Sequence, residues 1–421
     1  MKKTISRALL AAAVTAVLPA YAAAKDVKLW SFLDPAGEGT RSEALKDVIG
    51  TFEAQNADIQ VDTTVVEWDQ IVPSLMRAAQ AGETPDVAMV YSPNLQALIA
   101  AGALAPLDQC FTQIWSDDER NDVVLLSSAK GPDGAIYGVP YELRVFGFYY
   151  RADLLDAAGL KAPASFDELT QAAKQLSGED RTGLGMTFSA GGGSVEAIEW
   201  FVPMVIGMGG TILNADGSAA FNSPQTIDLL SRLKQAVDAG ILPSDVALSS
   251  TDQVAQLAQS GRAVFIAEGS QEASSFAETA TDGMKWSFTP PPGIEPGTTS
   301  PASLNGWNLV IPKNAADADS ACQLIKTWTS PEVQKAQSLK AGYLPVRTSL
   351  AADPDLDKPA IASIPTLLKY AGGNPLSFTW PENTDLLNEV LSEMIQKAIT
   401  GQMAPADAVA EAVTAYDSRR Q

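Results

Sequence analysis

The feature that most constrains this chain is the regular exchange of short apolar strands for amphipathic helices from Lys25 onward. Asp26–Phe32 alternates as a strand and runs into a glycine-containing loop, LDPAGEG. Arg41 to Phe52 then sets Leu45, Val48, Ile49 and Phe52 on one helical face. Asp58–Val66 reads as a second strand, Gln70–Ala81 as a helix stopped by Gly82, and Pro85–Tyr91 as a third strand. Ser92-Pro93 opens a helix that stops at Gly102, with serine as N-cap and proline at the first helical position. Ser223-Pro224 and Ser330-Pro331 repeat that start, and Ser165 with Glu168 has capping-box spacing. Strand and helix in turn predict an α/β fold with a mostly parallel sheet. The run TPPPGIEPGTTSP, from Thr289 to Pro301, predicts a surface loop.

At 421 residues the chain suits two lobes or one large α/β body. Its first residues read differently. Lys2, Lys3 and Arg7 form a basic head, Ala8–Leu18 is apolar, Pro19 breaks the run, and Ala22-Ala23-Ala24 offers small residues for cleavage. Residues 1–24 are therefore expected to be a secretory signal peptide. The apolar run is about half the ~20 residues a membrane span needs. No cysteine follows the cleavage site to carry a lipid anchor, so a free, soluble protein outside the cytoplasm is expected. A formal charge of −21 repels nucleic acid and anionic lipid.

The chain has no histidine, which excludes a Ser-His-Asp or Cys-His nucleophile and any zinc site built on imidazole. Cys110 and Cys322 are the two cysteines, too few for a four-thiolate metal site. They form either one disulfide or two buried small residues. No metal and no cofactor is expected.

The stretch VPYELRVFGFYY, Val139–Tyr150, alternates as a strand. One face carries Glu142, Arg144, Phe146, Phe148 and Tyr150, and the other carries Tyr141, Leu143, Val145, Gly147 and Tyr149. A strand this apolar rarely holds two charges without a use. Extended to GVPYELRVFGFYYRADLLDAAGLKAPASFDEL, the stretch resembles the bacterial extracellular solute-binding proteins, family 1, of ABC importers, and most of all their sugar-binding branch. FEAQNADIQV, TPDVAMVY, SGRAVFIAEG and SLNGWNLVIPKN, followed by LIKTWTSPEVQKAQSLKAGYLPVR, look similar and fall in the family's order.

The resemblance implies two α/β lobes around a ligand cleft, with several hinge crossings. By its pattern the first lobe holds 25–149 and 268–338, and the second holds 150–267 and 339–421. VPYELRVFGFYY would then cross the hinge. Both cysteines fall in the first lobe, which favours a disulfide. The implied role is capture of a small carbohydrate by a monomer that closes around it and delivers it, unaltered, to a membrane permease.

A sugar needs aromatic platforms for its C–H faces and charged or amide groups for its hydroxyls. Clefts lie past the carboxyl ends of strands, which nominates Phe32 and Asp34, Trp68 and Asp69, and Tyr91 with Asn94. Glu142 and Arg144 follow from the hinge strand. Trp200, Glu268, Gly269 and Ser270, Gly306 and Trp307, Arg347 and Trp380 complete the expected ligand set, with Trp307 resembling a ligand platform in the family. Two other readings compete. An anionic sugar or glycerol phosphodiester would use Arg144 or Arg347. A secreted two-carboxylate glycosidase would draw on Glu142, Glu268 and Asp69.

Overall fold

A computed structural model of the chain describes residues 25–420, apart from 190–194, 196, 282, 296, 358–360, 362, 377 and 379. The expected signal peptide, 1–24, lies outside the described residues. Strands β1 (Lys25–Ser31), β2 (Ile59–Val65) and β3 (Val87–Tyr91) are joined by helix α1 (Thr40–Gln55) and a helix over Ile71–Ala81. After them come β4 (Val139–Arg151), β5 (Thr182–Gly185), β6 (Ala263–Gly269), β7 (Trp286–Thr289) and β8 (Leu304–Val310). The strand order is β2-β1-β3-β8-β4-β6-β5, with β7 also paired to β4.

The sheet is more mixed than the strand–helix alternation predicts. β1 is parallel to β2 and β3, and β5 is parallel to β6. β3–β8, β4–β8, β4–β6 and β4–β7 are antiparallel. Parallel units occupy the two ends, and β4 and β8 run oppositely between them. Both strands are buried along nearly their whole length, so their sequences look like those of parallel strands.

β4 is shared. Its residues 139–145 pair with β8, while 146–150 pair with β6 and 148–151 with β7. Its side chains change core at the same place. Leu143 and Val145 pack with Val27, Phe52, Val90, Leu309 and Trp328. Phe146 and Phe148 pack with Phe188, Phe201, Leu230, Phe265 and Leu391.

Later segments distribute by partner. Leu344, Val346, Leu350, Leu367 and Ala371, in the stretch the family pattern gives to the second lobe, bury in the first core. There the Leu143 N–H donates to the Leu344 carbonyl at 3.1 Å. Phe276 and Trp286, in the stretch given to the first lobe, bury with Tyr149 and Val254.

Local signals hold at several ends. Ser223 and Ser330 accept the N–H groups of Thr226 and Val333, and Gly82 takes φ 74° after its helix. Ser92 does not cap its helix. Its hydroxyl donates to the Gly306 carbonyl and accepts from Asn308 Nδ2, both at 2.9 Å, tying β3 to β8. The proline-rich run is irregular after Thr289, yet Pro291, Pro292 and Gly293 are buried rather than on the surface.

A disulfide joins Cys110, in the helix Asp108–Ile114, to Cys322, in the helix Ala318–Trp328, with Cα atoms 5.5 Å apart. Replacing both cysteines by alanine is expected to lower unfolding free energy by about 2–5 kcal/mol in denaturant titrations. Gly306 answers to a close approach. A Cβ there would stand 1.9 Å from the Glu142 carbonyl oxygen of β4, a backbone atom that cannot swing aside. Gly306→Ala should destabilise the fold by roughly 1–3 kcal/mol, read as a lowered denaturation midpoint.

Candidate ligand-binding cleft

Where the two cores meet, a cavity of about 160 Å³ opens at the ends of the strands. Phe32 follows β1, Trp68 follows β2 and Tyr91 ends β3. All three line the cavity, as do Trp307 of β8 and Arg144 and Phe146 of β4. Alternation along β4 brings Arg144 and Phe146 to one face on either side of the change of core. Glu268, at the end of β6, and Glu199, Asp252 and Glu272 supply carboxylates.

The aromatics form one connected surface. Phe32 and Trp307 lie 4.2 Å apart between ring centres, and Tyr91 lies 5.3 Å from Trp307. Guanidiniums rest against these faces: Arg41 is 5.3 Å from the Phe32 ring, and Arg144 is 5.7 Å from Trp307 and 5.9 Å from Tyr91. Among the described residues the Trp307 indole Nε1 is buried without a hydrogen-bond partner.

Glu142 lies behind this wall, 1 % exposed. It accepts from Arg144 Nε at 2.9 Å, and its second oxygen is 3.6 Å from Arg41 Nη2. Arg41 also donates to the Tyr343 hydroxyl at 3.0 Å. Burial and nearby Arg41 oppose the charge of Arg144, but Glu142 and Tyr91 together raise the guanidinium above its ordinary value. Glu142 is thus a fixed counter-charge that aims Arg144 at the cavity.

Glu199 crosses between the two halves. It stands in the segment Ala197–Phe201, whose Ile198, Trp200 and Phe201 belong to the second core. Its Oε1 accepts from the Tyr91 hydroxyl of β3 and from Asn305 Nδ2 of β8, the latter at 3.2 Å. Burial pushes the Glu199 carboxyl up to about 7, against the opposing pull of these hydrogen bonds and of Arg144. Burial also raises Glu272, opposed by Arg41 and Arg144.

Other expected residues stand elsewhere. Asp34 accepts from the Ala36 N–H in its own turn, and Asp69 sits in the turn Trp68–Gln70; neither lines the cavity. Asn94 donates to Asp385 at 3.1 Å, a second tie across the interface. Trp200 is buried edge-on behind Phe146, with ring centres 5.3 Å apart. The Gly269 carbonyl accepts from the Tyr149 hydroxyl, and the Ser270 hydroxyl accepts from the Val145 N–H, so both serve the frame. Arg347 is buried in the first half, donating to the Thr329 and Glu119 carbonyls beside the Trp115 ring. Trp380 packs on Phe378 and lines a separate groove.

Arg41, Glu199, Asp252 and Glu272 are the residues the sequence reading passes over. Arg41 stands in the first turn of α1 rather than just past β1, so the strand-end rule does not reach it. Glu199 adjoins the nominated Trp200, but Ala197–Phe201 is wound as a π-helix.

The chain belongs to the bacterial extracellular solute-binding proteins, matching that family over residues 47–364. It is similar to a probable ABC transporter-binding protein of Deinococcus radiodurans, 25 % identical over 66 % of this chain and 67 % of the other. Among solved structures it is similar to the maltose-bound MalE3 of T. maritima, with TM-score 0.81, 24 % identity, and 94 % and 99 % of the two chains covered. A solute-binding protein of Agrobacterium radiobacter K84 in complex with ribitol gives TM-score 0.78 and 21 % identity, over 93 % and 97 %.

A carboxyl whose folded value is raised to about 7 stabilises fully below its ordinary range and loses that contribution as pH climbs through 7. Wild type should therefore lose about 1–3 kcal/mol relative to Glu199→Gln between pH 5 and pH 8 in parallel denaturant titrations. The other raised carboxyls are common to both proteins and cancel.

Proposed function

We propose that this protein is the solute-binding component of an ABC importer and captures a small, uncharged carbohydrate or polyol in the cleft between its two halves. It releases the guest unaltered to a membrane permease. The observation that carries this reading is the cavity itself, where Phe32, Trp68, Tyr91 and Trp307 offer ring faces beside guanidiniums and carboxyls. Ring faces match the C–H patches of a sugar, and the charged groups match its hydroxyls. Sugar-bound and polyol-bound structures among the similar proteins support the same class of guest.

Contacts from both halves exist together only when they meet, so affinity and closure are one event. The family's binding role supports a protein without turnover. The residue pattern of 1–24 and the Cys110–Cys322 disulfide support an exported protein. Glu199, Glu268, Glu272 and Asp252 outnumber Arg41 and Arg144 around the cavity, which weighs against a phosphorylated or sulfonated sugar.

A thermal-shift panel of pentitols, hexoses, disaccharides and sugar phosphates tests this, since a tight ligand raises the melting point by mass action. At least one neutral sugar or polyol should raise it, and sugar phosphates should not. No shift from any neutral member would defeat the proposal. Trp307→Ala should weaken the positive ligand by roughly 2–3 kcal/mol in titration calorimetry, through lost apolar contact.

A further inference from the structure

The cavity between the halves does not end at its aromatic wall. It shares Arg41, Gln271 and Glu272 with a second space of about 290 Å³, at whose rim Glu38 and Glu278 are exposed. The start of α1 forms one side of this outer space, and Gln271, Glu272 and the helix Ala273–Thr279 form the other. We propose that the two spaces are one site for a neutral disaccharide, with a sugar unit in each and Arg41, Gln271 and Glu272 around the junction. This rests on the carbohydrate reading above and adds the length of the guest.

Size supports it first. The inner cavity, about 160 Å³, compares with the roughly 150 Å³ of an engineered cavity that takes benzene, so one sugar ring fills it. A second ring needs the adjoining space, which is the larger of the two.

The walls divide the work. Phe32, Trp68, Tyr91 and Trp307 give the inner cavity ring faces for stacking. In the outer space Leu33 is the one large apolar side chain among the described residues, while Thr40, Ser42 and Ser275 bring hydroxyls and Glu38 and Glu278 bring carboxylates. Such a wall cannot stack a ring, but it pairs with the hydroxyls along a ring's edge. Its carboxylates also repel an anionic second unit.

The junction suits the same guest. Arg41 is held in place: its Nε donates to the Tyr343 hydroxyl at 3.0 Å, and its guanidinium lies 5.3 Å from the Phe32 ring and 5.4 Å from the Tyr343 ring. Arg41 and Glu272 each favour the other's charged form. Yet the ion-pair partner of Arg41 among the described residues is Glu142, at 3.6 Å, and not Glu272. Opposite charges held apart at a passage leave a place for a group that accepts from one and donates to the other. A sugar hydroxyl does both.

Titration calorimetry of the full chain with ribitol, glucose, galactose, maltose, cellobiose and lactose decides the matter. At least one disaccharide should bind roughly tenfold or more tightly than either hexose or ribitol, the factor that one hydrogen bond to a charged group gives. Ser275 lines the outer space and not the cavity. Ser275→Phe fills that space and should erase the advantage of the disaccharide over its own hexose. Thr40→Phe fills it from α1 and serves if Ser275→Phe does not fold. A hexose or ribitol bound as tightly as every disaccharide overturns the two-unit site but leaves carbohydrate binding standing. So does a disaccharide advantage that survives in folded Ser275→Phe or Thr40→Phe protein. Wild type that binds no member of the set removes the carbohydrate reading and the two-unit site together.

Discussion

The structure depends on one strand that satisfies its backbone in two places. Every N–H and C=O of buried β4 needs a partner, because an unpaired one costs as much as a lost hydrogen bond. β8 supplies partners for the first part of the strand, and β6 and β7 supply them for the second. The side chains follow the same division, into the first core up to Val145 and from Phe146 into the second, with Tyr149 in a smaller cluster of its own. Two bodies are thereby hung on a single extended segment. The space between them opens beside Arg144 and Phe146, the pair that brackets the change.

Placing a cleft there raises an electrostatic problem, and Glu142 resolves it. A guanidinium facing a partly dry cavity needs a counter-charge, and a fully buried carboxylate needs one as well. Glu142 meets both needs by holding Arg144 directly and drawing Arg41 toward it from α1. The two cations are then fixed against Phe32, Tyr91 and Trp307 rather than left to swing in solvent. Ordering them in advance lowers the entropy a guest must offset. The requirement that β8 pass close to the Glu142 carbonyl explains Gly306 in the same terms.

These relations also show what was legible in the residues alone. Phe32, Trp68 and Tyr91 were readable because strand ends converge on the cleft, a consequence of topology that local sequence reports. The charges of β4 were readable as purposeful, although only the packing shows Glu142 buried behind the wall and Arg144 lining the cavity. Arg347 and Trp380 were nominated as loop residues, and a loop label carries no information on burial beneath another element. Arg347 is held by carbonyls from two distant segments, contacts that no window of sequence contains. The antiparallel middle of the sheet was hidden for a related reason. Burial on both faces erases the alternation that separates antiparallel strands from parallel ones.

The charge of the whole chain and the charge of the cleft answer different questions. A formal −21 acts at long range on solubility and on anionic partners. Inside the cavity, burial shifts Glu199 and Glu272 toward their protonated forms, so the wall combines carboxyls that can donate with carboxylates that can only accept. A hydroxyl group both donates and accepts, and so can pair with either form without paying for a change of protonation. A phosphate dianion only accepts, and finds no donor in the carboxylates that line the cavity beside Arg41 and Arg144. The same arrangement that stabilises the empty frame therefore supports the proposed neutral, hydroxyl-rich guest over an anionic one.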